Sequence, residues 1–382
     1  MSDGPKTKVR KRPVPSSSAS QAGAANGAMP SDAPADRSPP ARRDWVSSLL
    51  RALSFRNISA LYVFVVIFVV FSLWVPETFL LGDTWKALLD SQAVTALLAI
   101  GLVVALAAGA FELAIGAELG FGAILVAWFL AKQGVAIVPS IALTLLAGAL
   151  IGLVNGLLVV RVRIDSFIAT LGVSSILLAG IAWVSNSQQI LGLSESFQKI
   201  GTTEILGITL PVYIMVAVAI GAWYVLERTP VGRRVYATGG NIEAARLAGV
   251  RTGLVIIACL VTCGAIAALA GVLVSSRLGT GDPTIGPAYL LPAFSAAFLG
   301  STQFRGGRFN VWGTVVAVYV LATGVKGLQL AGAPIWIPDL FNGVALLVAV
   351  GLAKYQRAAY RTGAVRRLLR MDRRPGEHPD TG

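Results

Sequence analysis

Charged side chains are scarce in this chain: Asp, Glu, Lys and Arg make up 13% of its 382 residues. A soluble globular domain carries about 25%, so the chain has too little charge to cover an ordinary water-exposed surface. Histidine is rarer still. His378 is the single one, which excludes a histidine-dependent site or a His/Cys metal cluster. The two cysteines, Cys259 and Cys263, lie four apart in an apolar run, on one helical face. They read as small packing residues, because adjacent turns of one helix do not easily form a disulfide. No phosphate-binding Walker motif, nucleophilic triad, zinc spacing or paired-carboxylate constellation is present. The chain is therefore expected not to be an enzyme, with no catalytic residues and no metal.

Apolar residues are abundant instead: 55% of the chain, with mean hydropathy +0.71. That describes an integral membrane protein of several helices. The expected spans are 58–75, 87–108, 114–131, 138–160, 167–184, 210–226, 254–274, 288–299, 311–330 and 335–353. The fold class is all-α, polytopic, with about ten transmembrane helices. Residues 1–56 read as a disordered basic cytoplasmic tail, rich in Pro, Ser, Ala and Arg. Residues 57–354 form the transmembrane domain, and 355–382 a basic cytoplasmic C-terminal tail suited to anionic headgroups. The basic stretch "KTKVRKR" (6–12) has no apolar run soon after it, so a cleaved signal peptide is not expected.

The chain has 32 Lys and Arg against 19 Asp and Glu. In a soluble protein this excess would favour nucleic acid; here it is read as cytoplasmic-side bias, with no nucleic-acid partner. With the N-terminus inside, the inner connections carry Arg161, Arg163, Arg228, Arg233, Arg234, Arg246, Arg251, Arg305 and Arg308. The outer ones carry Lys86, Lys132, Lys199 and Arg277. Both tails are strongly basic, so both termini are expected in the cytoplasm, which requires an even number of spans. The connection 109–113 lacks a basic residue and is the place for a re-entrant segment.

Several motifs invite a function. Gly148, Gly152 and Gly156 leave a flat stripe for a close helix, within the subunit or at a subunit interface. Asn155 lies on that stripe, and a buried amide either bonds a neighbouring helix or faces a wet path. Gln92, Thr170, Ser174 and Asn342 raise the same question. Sugars bind amides, hydroxyls and aromatic faces, so these residues, with Phe294 and Phe298 four apart, are the candidate translocation path. Glu112 and Glu118 could form a proton relay at membrane depth; water or a helix N-terminus at the membrane edge is the preferred reading. The lone G-x-G in "LGTGDPTIGP" (278–287) reads as an outward loop, and "FRGGRF" (304–309) as a solvated cytoplasmic turn.

"GRRVYATGGNIEAARLAGV" (232–250) stands out between two apolar runs. Asn241 can cap a short helix, Glu243 suits its first turn, and Gly249 can end it. Ala244, Ala245 and Leu247 offer a small apolar ridge, Glu243 and Arg246 can set register, and Gly239 and Gly240 allow a sharp turn into it.

The stretches "RVRIDSFIATLG" (161–172), "TPVGRRVYATGGNIEAARLAGV" (229–250) and "SAAFLGSTQFRGGRFNVWGT" (295–314) resemble the membrane permease subunits of bacterial ABC importers. The likeness is to the ribose, xylose and galactose permease group, within the branched-chain amino acid permease superfamily, and covers about residues 58–355. It implies a type II importer fold in the bacterial cytoplasmic (inner) membrane, importing a monosaccharide or related polyol. It also implies that 239–249 is the coupling helix for an ABC ATPase subunit, which holds the ATP and magnesium. An extracytoplasmic sugar-binding protein and a second permease subunit, in a homodimer, are the other implied partners besides the bilayer. The stretch "AFELAIG" (110–116) departs from the group's Gly-x-Asp-Leu-Ser-x-Gly, with Glu112 for Asp and Ala114 for Ser. The alternatives are an importer for branched-chain amino acids or nucleosides, and a proton-coupled secondary transporter using Glu112 or Glu118.

Overall fold

A computed structural model describes residues 59–302 and 307–351. The two tails expected at 1–56 and 355–382, and residues 304–306 of the turn at 304–309, lie outside the described residues.

Each of the ten apolar runs is helical. In chain order the helices are α1 (Ser59–Trp74), α2 (Pro76–Phe79), α3 (Gly82–Ala107), α4 (Ile115–Ala131) and α5 (Ile137–Leu157). They continue with α6 (Ser166–Ser185), α7 (Glu195–Thr202), α8 (Leu210–Arg228), α9 (Pro230–Gly240) and α10 (Ile242–Leu247). The last four are α11 (Thr252–Leu278), α12 (Leu290–Ser301), α13 (Val311–Leu330) and α14 (Ile337–Gly351). A π turn, Leu158–Val162, extends α5. Two strands, β1 (Glu204–Ile205) and β2 (Ile208–Thr209), form a small hairpin before α8. By length and composition, six of the helices, α3, α5 with its π turn, α6, α8, α11 and α13, can cross a bilayer. The shorter apolar helices α1, α4, α12 and α14 make up the remaining runs.

The core forms around α3 and α11. From Ala93 to Ala107 every residue of α3 is buried. A helix apolar on all sides has no face to spare for water. It packs against α8, α11, α12 and α13. Helix α11 in turn lies against α5 and α4. The α5–α11 contact is as close as backbones allow. A Cβ on Gly152 would stand 2.3 Å from the Leu260 carbonyl oxygen, and one on Gly148 2.5 Å from that of Gly264. The glycine stripe therefore packs within the subunit, by backbone approach rather than by apolar bulk. Cys259 and Cys263 are free and buried in α11, as small packing residues should be.

The outer faces of α5, α6 and α8 stay apolar and uncovered, with Leu146, Ile176, Trp183 and Tyr224 all exposed. Such surface is stable against lipid tails or another membrane helix, and not against water.

Candidate functional site

Three places in the fold bring polar or exposed residues into a functional arrangement. The first is α10. Asn241 is extended, and its Oδ1 accepts from the Ala244 N–H at 3.0 Å. At the other end Gly249 takes φ +81°. Its N–H donates to the Arg246 carbonyl and that of Val250 to the Ala245 carbonyl, both at 3.0 Å. Those two bonds are a Schellman closure, so the helix is capped at both ends by its own neighbours. The expected apolar ridge needs correction. Ala245 points inward and is 5% exposed, whereas Leu247 is 89% exposed and Ile242 45%. The outward apolar surface is Ile242, Ala244 and Leu247, flanked by exposed Glu243 and Arg246. Gly239 and Gly240 do not make the turn either, since both are still helical in α9 and the break falls at Asn241. Gly239 serves packing: a Cβ there would lie 2.2 Å from the Ala107 carbonyl oxygen. The end of α9 thus rests on the end of α3, where Gly109 turns the chain with φ +84°. In the turn before α13, Arg308 lies over the Tyr236 ring of α9 at 4.1 Å, and Tyr236 donates to the Phe309 carbonyl at 2.8 Å. That end of "FRGGRF" is pinned to α9 rather than merely solvated.

The second place is the break between α3 and α4. Non-helical backbone at this depth is tolerated only when protein satisfies its polar groups. Ser166 Oγ accepts from Phe111 N–H at 3.1 Å, and Thr170 Oγ1 from Leu113 N–H at 3.0 Å. Both acceptors come from the start of α6, which Asp165 caps through Phe167 N–H at 2.9 Å. Glu112 Oε1 accepts from Ala114 N–H at 3.1 Å, at the start of α4. Asn155 of α5 donates to both Glu112 oxygens at 3.0 Å and to Glu118 Oε1 at 3.3 Å. Glu112, Glu118 and Asn155 are 0%, 1% and 0% exposed. The helix N-terminus expected for Glu112 is there, but water at a membrane edge is not. The two carboxyls meet through one amide and form the paired constellation that was not evident in sequence. Asn155 and Thr170 accordingly belong to this structural cluster and not to an open path. Ser174 is half-buried one turn further along α6.

The third is a polar cavity of about 500 Å³ between α3, α11, α12, α13 and α14. Ser91, Gln92, Thr95, Tyr289, Lys326 and Asn342 are on its wall, so two of the predicted path residues, Gln92 and Asn342, do come together. Arg277 also lines it and pairs with Asp90 at 2.5 Å, while Thr209 donates to Asp90. Phe294 and Phe298 do not reach this wall. They stack at 6.3 Å and Phe298 meets Phe309 edge-on at 5.5 Å, inside the core. Thr95, Tyr289, Arg277 and Lys326 were missed in the sequence. A signal existed: Lys326 and Asp90 are ionisable residues within apolar helices, which face a cavity or a partner. A larger cavity, about 910 Å³, is lined mostly by apolar residues of α8, α9 and α11, with Arg234 and Arg251 among them.

A bundle of apolar helices with a capped, exposed helix on one side and a polar cavity inside has the construction of a multi-pass membrane permease. The family described as branched-chain amino acid transport system / permease component matches residues 85–350, more than two thirds of the chain, and the chain belongs to it. The chain is 33% identical over 280 residues to the ribose import permease protein of Escherichia coli (strain K12), covering 72% of this chain and 86% of that one. It is 33% identical over 296 residues to the L-arabinose ABC transporter permease of Azospirillum brasilense, covering 77% and 86%. A D-allose transport system permease of Escherichia coli (strain K12) is 26% identical over 301 residues, covering 79% and 92%. No solved structure matches the chain.

Proposed function

We propose that this chain is the transmembrane subunit of an ATP-driven importer that carries a monosaccharide or related polyol into the cytoplasm. It works as a pair of such subunits, with an ABC ATPase on the cytoplasmic side and an extracytoplasmic sugar-binding protein outside. Both termini lie in the cytoplasm, and ten spans cross the inner membrane. The ATPase subunit, not this chain, binds ATP and magnesium.

The observation that carries the reading is α10. A six-residue helix is too short to persist alone, and both ends of this one are closed by local caps. It presents Leu247 to the outside between two long apolar helices. An exposed leucine on a rigid short helix fits a groove in a soluble partner. Movement of that partner would press through Gly239 on the end of α3, and so on the core of the bundle. Three relatives named for ribose, arabinose and allose support a sugar as cargo. So does a cavity wall that carries amides, hydroxyls, Lys326 and Arg277, which suits a polyhydroxylated solute better than an apolar side chain.

The test is purification of the tagged chain from its native membrane with identification of what accompanies it. Recovery of an ABC ATPase and a binding protein, the latter selecting one sugar from a panel, is the expected result. A chain recovered alone, with uptake that collapses with the proton gradient, would overturn the reading.

A further inference from the structure

The Glu112–Asn155–Glu118 cluster has more acceptors than donors. Its donors are the Ala114 N–H and the Asn155 amide, and its acceptors are four carboxyl oxygens and the Asn155 oxygen. Three of the acceptors, both Glu112 oxygens and Glu118 Oε1, are served. Glu118 Oε2 and Asn155 Oδ1 are fully buried and have no partner. Two carboxylates in a dry site also repel each other strongly unless a cation or a proton is present.

Among the described residues, the packed elements supply no cation. On α11 the neighbouring titratable group is Cys263, within electrostatic range of both carboxyls, with Cys259 one turn away. The one basic residue of α11, Arg277, is paired with Asp90. Arg161 of the π turn is exposed, and Asp165 is occupied as the cap of α6. Tyr289 of the short 3-10 turn lines the polar cavity, and the remaining charged residues of α3, Asp83 and Lys86, lie beside its first turn.

We propose that Glu112 and Glu118 hold one proton between them, making the trio with Asn155 a buried proton site that clasps the start of α4 to α5. The proton resides on Glu118, whose Oε2 is the carboxyl oxygen left without a partner, whereas both Glu112 oxygens lie 3.0 Å from the Asn155 amide nitrogen and Oε1 also takes the Ala114 N–H. A carboxylic acid offers one O–H donor, so a proton on Glu118 Oε2 supplies the donor the cluster lacks, and Asn155 Oδ1 is the acceptor left unserved. A metal cation fits less well, because Asn155 turns its N–H groups, the positive end of the amide, toward both carboxyls.

Infrared spectroscopy on the full-length chain in lipid nanodiscs, with glutamate labelled by carbon-13 at the side-chain carboxyl, tests this directly. Exposed glutamates are ionised at about pH 7 and leave the protonated-acid carbonyl region empty. One label-shifted band is expected there at that pH, and the variant Glu118→Gln should lose all of it. The Gln side chain keeps the size of the acid, an acceptor oxygen and N–H donors in place of its O–H, so this variant should stay inserted and monodisperse. If it does not, the wild-type band and its pH titration still decide the matter. Absence of the band in the wild type would overturn the proposal. So would a band that persists in Glu118→Gln, or an absent band with a rise in thermal stability on adding sodium or potassium, which would mean a cation instead.

Discussion

At the scale of single residues, space and exposure decide what each position tolerates. Gly152 and Gly172 both lie in apolar helices, yet they should respond in opposite ways. A Cβ on Gly152 meets the Leu260 carbonyl oxygen at 2.3 Å, whereas one on Gly172 meets nothing within 4 Å. Gly152→Val should cost about 3 kcal/mol or more by forcing two backbones apart, read as loss of monodisperse protein in detergent size-exclusion. Gly172→Ala should be neutral or stabilising by about 0.5 kcal/mol. Leu247 and Ala245 form a second contrast. Leu247→Glu alters an exposed side chain and should leave the melting temperature of the permease unchanged, while removing co-purification of the ATPase. Ala245→Trp introduces a ring into a buried position and should lower that melting temperature itself. Retention of the ATPase by Leu247→Glu would refute a docking role for α10.

At the scale of elements, α10 is closed at both ends by short-range hydrogen bonds. Asn241→Ala removes the N-cap of α10 and should cost that helix about 1 kcal/mol. The bundle does not depend on it, so the expected signature is weaker coupling of ATP hydrolysis to transport at an unchanged global melting temperature. The break between α3 and α4 behaves differently. Thr170→Val deletes the acceptor of Leu113 N–H and leaves a buried donor unpaired, at a cost of about 1–3 kcal/mol. Faster amide exchange at 111–114 than in wild type would show it. The ends of α10 were legible in sequence, because its caps are local: Asn241 and Gly249 each bond residues at most three away. The face of α10 was not legible. Six residues do not establish a periodicity, and whether Ala245 or Leu247 points inward depends on what the neighbouring helices bury.

At the scale of the whole molecule, the polar cavity is where helices distant in sequence meet. Gln92 of α3 and Asn342 of α14, 250 positions apart, share its wall. If a sugar passes there, removing one neutral hydrogen bond, as in Gln92→Leu or Asn342→Leu, should weaken it by about 1 kcal/mol, or roughly fivefold in the half-saturating concentration. Uptake in cells or proteoliposomes measures this, and equal kinetics in both variants would move the path elsewhere. Of the seven residues predicted for the path, Gln92 and Asn342 reach this wall. Asn155, Thr170, Phe294 and Phe298 have the chemistry of a sugar site, but the fold uses them to hold a broken helix and to fill the core.

The sequence by itself determined that the chain lives in a membrane, where its helices run, and that a capped helix interrupts two of them. Those properties follow from composition and from hydrogen bonds a few residues long. Only the tertiary structure decided which polar groups meet. Glu112 and Asn155 are 43 positions apart, and no periodicity of either helix foretells that one amide will face two carboxyls. That meeting exists because Gly148, Gly152 and Gly156 let α5 settle against α11 at backbone contact, a distance set by packing and not by any local preference.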